Sequence, residues 1–316
     1  MSWVLPIARR LLILAASLFA ASLLVFAILA VLPGSPAQVI LGTQATPQSV
    51  AQLTRQLGLD KPLITQYLDW AGGLLSGSLG NSYISGQPIG PQLGASLAVT
   101  GPLILGGLLI GMVIAVPFGM LSALRHDKTS GTLITVASQL GIAIPTFVVG
   151  LLLILVFAVK ARLLPASGFP GWASDPAGSL RSLVLPGIVL GLAEGAIMLR
   201  FIRASVLEVL RSDYYRTARA KGLRPMRALL RHGSRNALIP LLTVFALEAG
   251  GLIVGAIVVE NVFTLPGVGS LLLSEVTNRD LIMVQDIVIL ACAVVLTLNF
   301  LVDLSYRVLD PRLGGG

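Results

Sequence analysis

The sequence predicts an all-α, multi-pass membrane protein with six spans, and three observations carry that expectation. Hydrophobic residues make up 55% of the 316-residue chain and charged residues only 11%, whereas a soluble domain carries roughly a quarter. Apolar runs close to the roughly 20 residues that a bilayer requires recur along the chain. Lys and Arg are distributed unevenly among the connecting segments, as the positive-inside bias demands. The formal net charge of +8 is then a topological excess. The aromatic interleaving of a nucleic-acid surface is absent, so no nucleic-acid partner is expected.

Arg9 and Arg10 stand ahead of the first run, Leu11 to Leu32, which exceeds the roughly 7 to 15 apolar residues of a signal peptide. It is expected as an uncleaved span with the amino terminus in the cytosol. Further spans are expected at Leu97–Leu121, Thr132–Val159, Leu183–Met198 continuing towards Leu207, Leu238–Val259 and Leu281–Leu301. Six spans return the carboxyl terminus to the cytosol. Of the 22 Lys and Arg, only Arg55, Lys61, Lys160, Arg162, Arg181 and Arg279 then lie outside; the inverse orientation would reverse the bias. Three regions result: residues 1–32 with the first span, an external cap over 33–96, and a five-span core over 97–316 with a cytosolic loop at 208–240.

In the cap, Thr46-Pro47 predicts a helix start and Gly58 its stop, while Pro62 opens a second helix through Tyr67 and Trp70. Gly and Ser dominate from Gly72 to Gly86. Within the spans, Gly107 with Gly111 and Gly251 with Gly255 form GxxxG pairs, which permit close helix approach. In a chain with 34 glycines, chance spacing or ordinary packing within one chain is the favoured explanation for either pair. Pro117 and Pro145 are candidate kinks. The lone Cys292 excludes an internal disulfide and reads as a packed thiol.

Glu194 and Glu248 fall near the middle of the fourth and fifth spans. An ionised acid there costs on the order of 2.5–3.5 kcal/mol, so each is expected to face protein or a wet cavity. Either they line a translocation path and favour an amine or metal-like positive charge, or they are protonated or hydrogen-bonded packing residues. Glu260 and Phe263, followed by Pro266, Gly267, Val268 and Gly269, form either a loop that re-enters and closes the outer mouth of the bundle or an ordinary surface hairpin.

The loop between the fourth and fifth runs is the most basic part of the chain, with eight Lys or Arg from Arg211 to Arg235 against the single acid Asp213. Asp213 is expected to cap a short helix, Gly222 to end it in a left-handed conformation, and Pro225 to open a second one. Such a surface suits anionic membrane lipid or an acidic protein groove. A purely topogenic loop would account for the charge but not for the glycine and the prolines.

Tyr215-Arg216-Thr217-Ala218-Arg219-Ala220-Lys221-Gly222, then His232, Arg235-Asn236-Ala237 and Pro240, resembles the cytoplasmic signature loop of permeases in the dipeptide, oligopeptide and nickel group of ABC importers. The resemblance continues in order through Leu57 to Leu63, Arg125-His126-Asp127, Pro165 to Phe169, Glu260 to Phe263 with Pro266 to Gly269, and Leu309-Asp310-Pro311-Arg312. Two positions depart from the pattern: Arg216-Thr217-Ala218 stands where the wider signature has Glu-Ala-Ala, and Ser35 stands where Asp is frequent.

This resemblance implies the type I importer (MetI-like) transmembrane fold in a bacterial inner membrane. It implies a second homologous permease, two ABC ATPase subunits and an extracytoplasmic solute-binding protein as partners, with ATP and Mg2+ held by the ATPases. Coupling to the ATPase would fall to Asp213, Tyr215, Arg216, Thr217, Ala218, Ala220, Lys221, Gly222, Arg235, Asn236 and Pro240. The external gate would fall to Glu260, Phe263, Pro266, Gly267 and Gly269. The cap would dock the binding protein, or would only plug the outer face. Di- or oligopeptides are the expected cargo, with a nickel or metal chelate and a glutathione-like solute as alternatives.

No catalytic set accompanies these features. The two histidines, His126 and His232, lack a second ligand at metal spacing, and none of Lys61, Lys128, Lys160 and Lys221 sits in a GxxxxGK[ST] loop. The chain is therefore expected to bind no metal or cofactor and to hydrolyse no ATP itself. The readings outside the class are a passive channel and a membrane-embedded enzyme using Glu194 and Glu248.

Overall fold

Proline and small polar residues start the helices of this chain, and glycines stop several of them. The computed structural model describes residues 4–31, 35–233, 248 and 250–309. Among these the regular structure is helical, with one isolated bridge between Asn81 and Pro88. The helices are α1 (Val4–Val31), α2 (Pro36–Leu41), α3 (Pro47–Gln56), α4 (Leu63–Leu75), α5 (Ile89–Leu124), α6 (Thr129–Ala143), α7 (Thr146–Leu153), α8 (Pro176–Arg211), α9 (Asp213–Ala220), α10 (Pro225–Ala228), α11 (Gly250–Val262), α12 (Val268–Asn278) and α13 (Leu281–Leu309).

Local chemistry explains the boundaries. Thr46 and Ser49 close a reciprocal capping box on α3, with Ser49 N donating to Thr46 Oγ1 at 3.2 Å and Thr46 N to Ser49 Oγ at 2.9 Å. Gly58 follows at φ +68°, the left-handed stop that glycine permits. Asp175 caps α8 by accepting from Gly178 N at 2.9 Å, and Pro176 occupies the first turn, where its missing N–H costs nothing.

Four helices are long and apolar enough to cross a membrane: Ile7–Val31, Ile89–Leu124, Pro176–Arg211 and Leu281–Ser305. The run expected as one span at Thr132–Val159 is instead broken, its two helical parts meeting at 97°. Pro145 is the reason. It lacks an N–H and forces Ile144 into an extended conformation at φ −81°, ψ 123°, so the expected kink becomes a corner. Beyond α7 the helix widens into π geometry over Ile154–Lys160. The fourth run passes Arg200 and Arg203 as expected; α8 differs in starting earlier, at Pro176, and in ending at Arg211. A charge ends a hydropathy window without ending a helix. Of the run Leu238–Val259, residues 238–247 and 249 lie outside the described residues; the remainder belongs to α11 and Glu248.

The chain divides into two compact units, residues 1–99 with 267–300 and residues 100–266 with 301–316. In the first, α4 lies on α1 through an aromatic cluster, with Tyr67 edge-on to Phe26 at 5.4 Å and Trp70 stacked on Phe26 at 6.4 Å between ring centres. Ile89, Leu93, Met283 and Ile287 form its apolar core. Asp280 sits just ahead of α13 and gathers the cap loop: Ser82 Oγ donates to one carboxylate oxygen and Tyr83 N to the other at 3.3 Å.

In the second unit α8 is the central element. Small residues let it approach α5 closely: a Cβ on Gly107 would stand 2.8 Å from Leu190 Cβ, and one on Gly191 would stand 2.5 Å from Ile110 Cγ2. The Gly107–Gly111 pair thus serves packing within the chain. Lipid tails are as apolar as the side chains they would replace, so such a seam gains from dispersion and close contact rather than from burial out of water.

Candidate functional site

Three constellations in the second unit bring together most of the residues singled out by sequence; Gly267 and Gly269 belong to the first unit. The first is the basic helix. α9 is one continuous stretch of backbone after α8, interrupted only at Ser212, whose extended conformation turns the chain. Ser212, not Asp213, holds the capping position; Asp213 is the first helical residue, where its charge still favours the helix N-terminus. Tyr215 and Ala218 are buried three residues apart and join Ala228, Leu229, Val206 and Val209 in one apolar core. Burial pushes the Tyr215 phenol up from its ordinary range, against the opposing charge of Arg219. Asp213, Arg216, Thr217, Ala220 and Lys221 face outward, so α9 is anchored on one side and presents a mixed polar and basic surface on the other.

The helix ends as expected. Gly222 adopts φ +87°, its N–H reaching Arg219 O at 3.0 Å, and Arg219 Nη1 donates to Leu223 O at 2.5 Å. Pro225 opens α10. Arg235, Asn236 and Pro240 lie outside the described residues.

Sequence reasoning missed a polar node near this helix. Arg203 Nε donates to Ser122 Oγ at 3.1 Å, Ser122 donates to Gly131 O at 3.1 Å, and Ser122 shares a 3.0 Å hydrogen bond with Thr135 Oγ1. Gly131 is packed so tightly that a Cβ would meet Arg125 O at 2.1 Å. The end of α5, the start of α6 and the final third of α8 are thereby joined next to Arg125-His126-Asp127. The only hint in the sequence was an arginine inside a helix where the apolar pattern calls for none.

The second constellation is acidic. Glu194 is buried in α8 at 6% exposure, and its Oε2 has no hydrogen-bond partner among the described residues. Glu248 is half-buried, with its Oε2 3.6 Å from where a Gly251 Cβ would stand. The two carboxylates lie close enough to repel, and Arg200 lies close enough to attract Glu248. A buried carboxylate oxygen without a partner among the described residues, beside a second acid and one cation, can receive a positive group or a proton.

The third constellation surrounds Glu260. This residue is fully buried, and its Oε1 accepts the Thr100 hydroxyl at 2.5 Å. Phe263 and Leu265 are buried at 1% and 2% exposure, which excludes a plain surface hairpin. Leu265 N returns to Glu260 O at 2.8 Å around Thr264, held at φ +51°, and Gly168 N donates to Phe263 O at 3.1 Å. The Pro165–Phe169 stretch and the Glu260–Phe263 stretch, separate in sequence, are thus adjacent. Pro266 is exposed, and Gly267 precedes α12, which contains Gly269. Among the described residues, no three His, Cys, Asp or Glu side chains gather as a metal-ligand set.

Comparison with known proteins accounts for almost the entire chain. The family model described as binding-protein-dependent transport system inner membrane component matches residues 115–315, and its N-terminal companion matches residues 4–115. A di/tripeptide transport system permease protein of Pseudomonas aeruginosa is 38% identical, covering 97% of this chain and 98% of its own. A probable peptide ABC transporter permease protein of Sinorhizobium fredii is 36% identical with the same coverage of both chains. A glutathione transport system permease protein of Escherichia coli is 36% identical over 96% of this chain and 97% of its own. With several apolar helices and two family models that together span residues 4–315, the chain belongs to the family of inner membrane components of binding-protein-dependent transport systems.

Proposed function

We propose that this chain is one permease subunit of an ATP-driven importer of di- or oligopeptides, pairing with a second permease to enclose the path. The observation that carries the reading is end-to-end similarity to permeases named for di/tripeptides, peptides and glutathione, each covering 96% or more of this chain. Their named cargoes share short peptide character. Glutathione is itself a tripeptide, which makes a glutathione-like solute the second reading.

In this proposal the chain has the MetI-like fold with six spans, both termini cytosolic and the 33–96 segment as an external cap that meets the binding protein. The bent pair α6 and α7 is the third span. The exposed face of α9 seats in a cleft of an ATPase subunit, and two such ATPases hold ATP and Mg2+. Their closure on ATP drives α9, and α8 transmits the movement because Tyr215 and Ala218 bind the short helix to the same apolar core as Val206 and Val209. Arg235, Asn236 and Pro240 complete the coupling surface. Glu194 and Glu248 line the path and receive the ammonium terminus of a peptide. Glu260, Phe263, Pro266, Gly267 and Gly269 form the outer gate.

The test is reconstitution of the chain with its co-expressed permease, ATPases and binding protein in proteoliposomes. ATP-dependent uptake of labelled di- and tripeptides is expected, faster than uptake of a nickel chelate. Solute flux in the absence of ATP and of the binding protein would sink the importer reading and favour a channel.

A further inference from the structure

The chain leaves the end of α11 in a turn that seats one aromatic ring against α7. Phe263 is buried, and its ring lies over Gly150: a Cβ there would stand 3.3 Å from Phe263 Cε2 and 3.2 Å from Val262 Cγ1. A notch of this depth exists because Gly150 has no side chain. Backbone fastens the seat as well, since Gly168 N donates to Phe263 O at 3.1 Å. Leu265, two residues on, is also buried, and Pro266 confines it to extended conformations.

With Phe263 and Leu265 both turned inward, the exposed residue between them takes up the reversal, and Thr264 sits at φ +51°. Among the described residues three non-glycines are left-handed, Arg162, Thr264 and Arg279, and only Thr264 is β-branched. For that class of side chain the region is a genuine outlier. At the comparable helix stops of α3 and α9 the chain uses Gly58 and Gly222. Nothing at Thr264 offsets the strain, because its hydroxyl makes no hydrogen bond among the described residues. Such a conformation persists only while its surroundings over-determine it.

We infer that Thr264 is a strained hinge and Gly150 its seat: together they position Phe263 in the closed outer gate, and unseating the ring relaxes Thr264, which eases opening. The gate role rests on the function proposed above, whereas the hinge stands on the geometry of the turn. A static turn and a strained hinge respond differently to glycine at position 264. The static turn becomes more stable and works as before. The hinge becomes more stable in its closed form and opens less.

Hydrogen exchange resolved at the Gly168 amide reads the unseated population, because that N–H loses its acceptor when Phe263 departs. It is measured on the chain purified with its partner subunits in nanodiscs. Thr264→Gly removes the left-handed penalty but adds freedom to the unseated turn, so exchange should slow by roughly three- to fivefold. Thr264→Asn should lie between this variant and the parent, since asparagine tolerates the region. Gly150→Leu fills the notch and should speed exchange by about tenfold. In proteoliposomes supplied with ATP and the binding protein, Thr264→Gly should take up peptide more slowly than the parent while melting no lower.

Slower exchange together with slower uptake at an equal or higher melting temperature supports the hinge and its part in the gate. Exchange at Gly168 that is unchanged in Thr264→Gly overturns the hinge, whatever Gly150→Leu does to folding. Slower exchange with unchanged uptake overturns its part in the gate. If exchange responds as expected but the parent itself takes up no peptide with ATP, the hinge is supported and the importer reading is the one that fails.

Discussion

Gly111 and Gly195 meet backbone to backbone: a Cβ on Gly195 would stand 3.3 Å from the Gly111 Cα, and one on Gly111 would stand 3.3 Å from the Gly195 N. Contact of this kind fixes the separation of α5 and α8 more tightly than any pair of larger side chains permits. Because α8 continues into the basic helix α9, the seam also sets where that helix stands in its own unit.

The seam predicts a graded response to added methyl groups. In Gly191→Ala the new Cβ would lie 2.5 Å from Ile110 Cγ2 and 3.0 Å from Gly107 O. Overpacking of this degree costs about 1–3 kcal/mol. Gly106→Ala, one position from the seam, meets nothing within 4 Å and should be neutral or slightly stabilising. Thermal unfolding of both variants in detergent checks the contrast; equal melting temperatures would contradict the packing account.

A second prediction concerns Thr100 and Glu260. The hydroxyl at 2.5 Å is one donor to a carboxylate that is fully buried. Thr100→Val preserves shape but withdraws that donor, and a buried polar group left short of a partner costs about 1–3 kcal/mol, more when charged. Thr100→Ser should retain most of the stability. If Glu260 also controls the outer gate, Thr100→Val will lower uptake by more than its loss of stability explains. Uptake measured at matched protein levels separates the two effects.

Gly222 supplies the third. A Cβ there would find nothing within 4 Å, so space does not require glycine; φ +87° does. Gly222→Val should therefore incorporate normally and strain the end of α9, since a left-handed conformation costs an ordinary residue roughly 1–2 kcal/mol. Gly222→Asn should be milder, because asparagine tolerates that region. In the assembled transporter we expect binding-protein-stimulated ATP hydrolysis to fall in the valine variant and to persist in the asparagine variant.

What the sequence disclosed and what it concealed follow from range. The stops at Gly58 and Gly222 and the starts at Pro47 and Pro225 were legible because each depends on one or two adjacent residues. The capping role given to Asp213 was one place off, since Ser212 and Asp213 are both capping types and only backbone geometry separates them. The continuation of α8 past Arg200 and Arg203 was legible, but its first two turns were not, because Pro176, Gly178, Ser179, Arg181 and Ser182 break up any apolar run there. The corner at Pro145 was underestimated because proline restricts its neighbour without dictating an angle. No local signal joins Trp70 to Asp286, or Ser122 to Arg203, across their long separations in sequence.

The last prediction is a pH dependence at Glu275, on α12 just ahead of the final helix. Burial first, and the Asp280 charge second, raise its pKa above the ordinary glutamate value. As pH rises past that ordinary value, the unfolded chain gives up its proton before the folded one does. In the window between the two values the folded state holds more protons, so stability falls as pH rises, and the loss is complete above the folded value. Glu275→Gln removes the charge. It should raise the melting temperature at neutral pH, with the advantage shrinking towards zero as pH falls below the ordinary glutamate range. A variant that melts lower than the parent at neutral pH would show that the ionised carboxylate has a compensating partner in the assembled transporter.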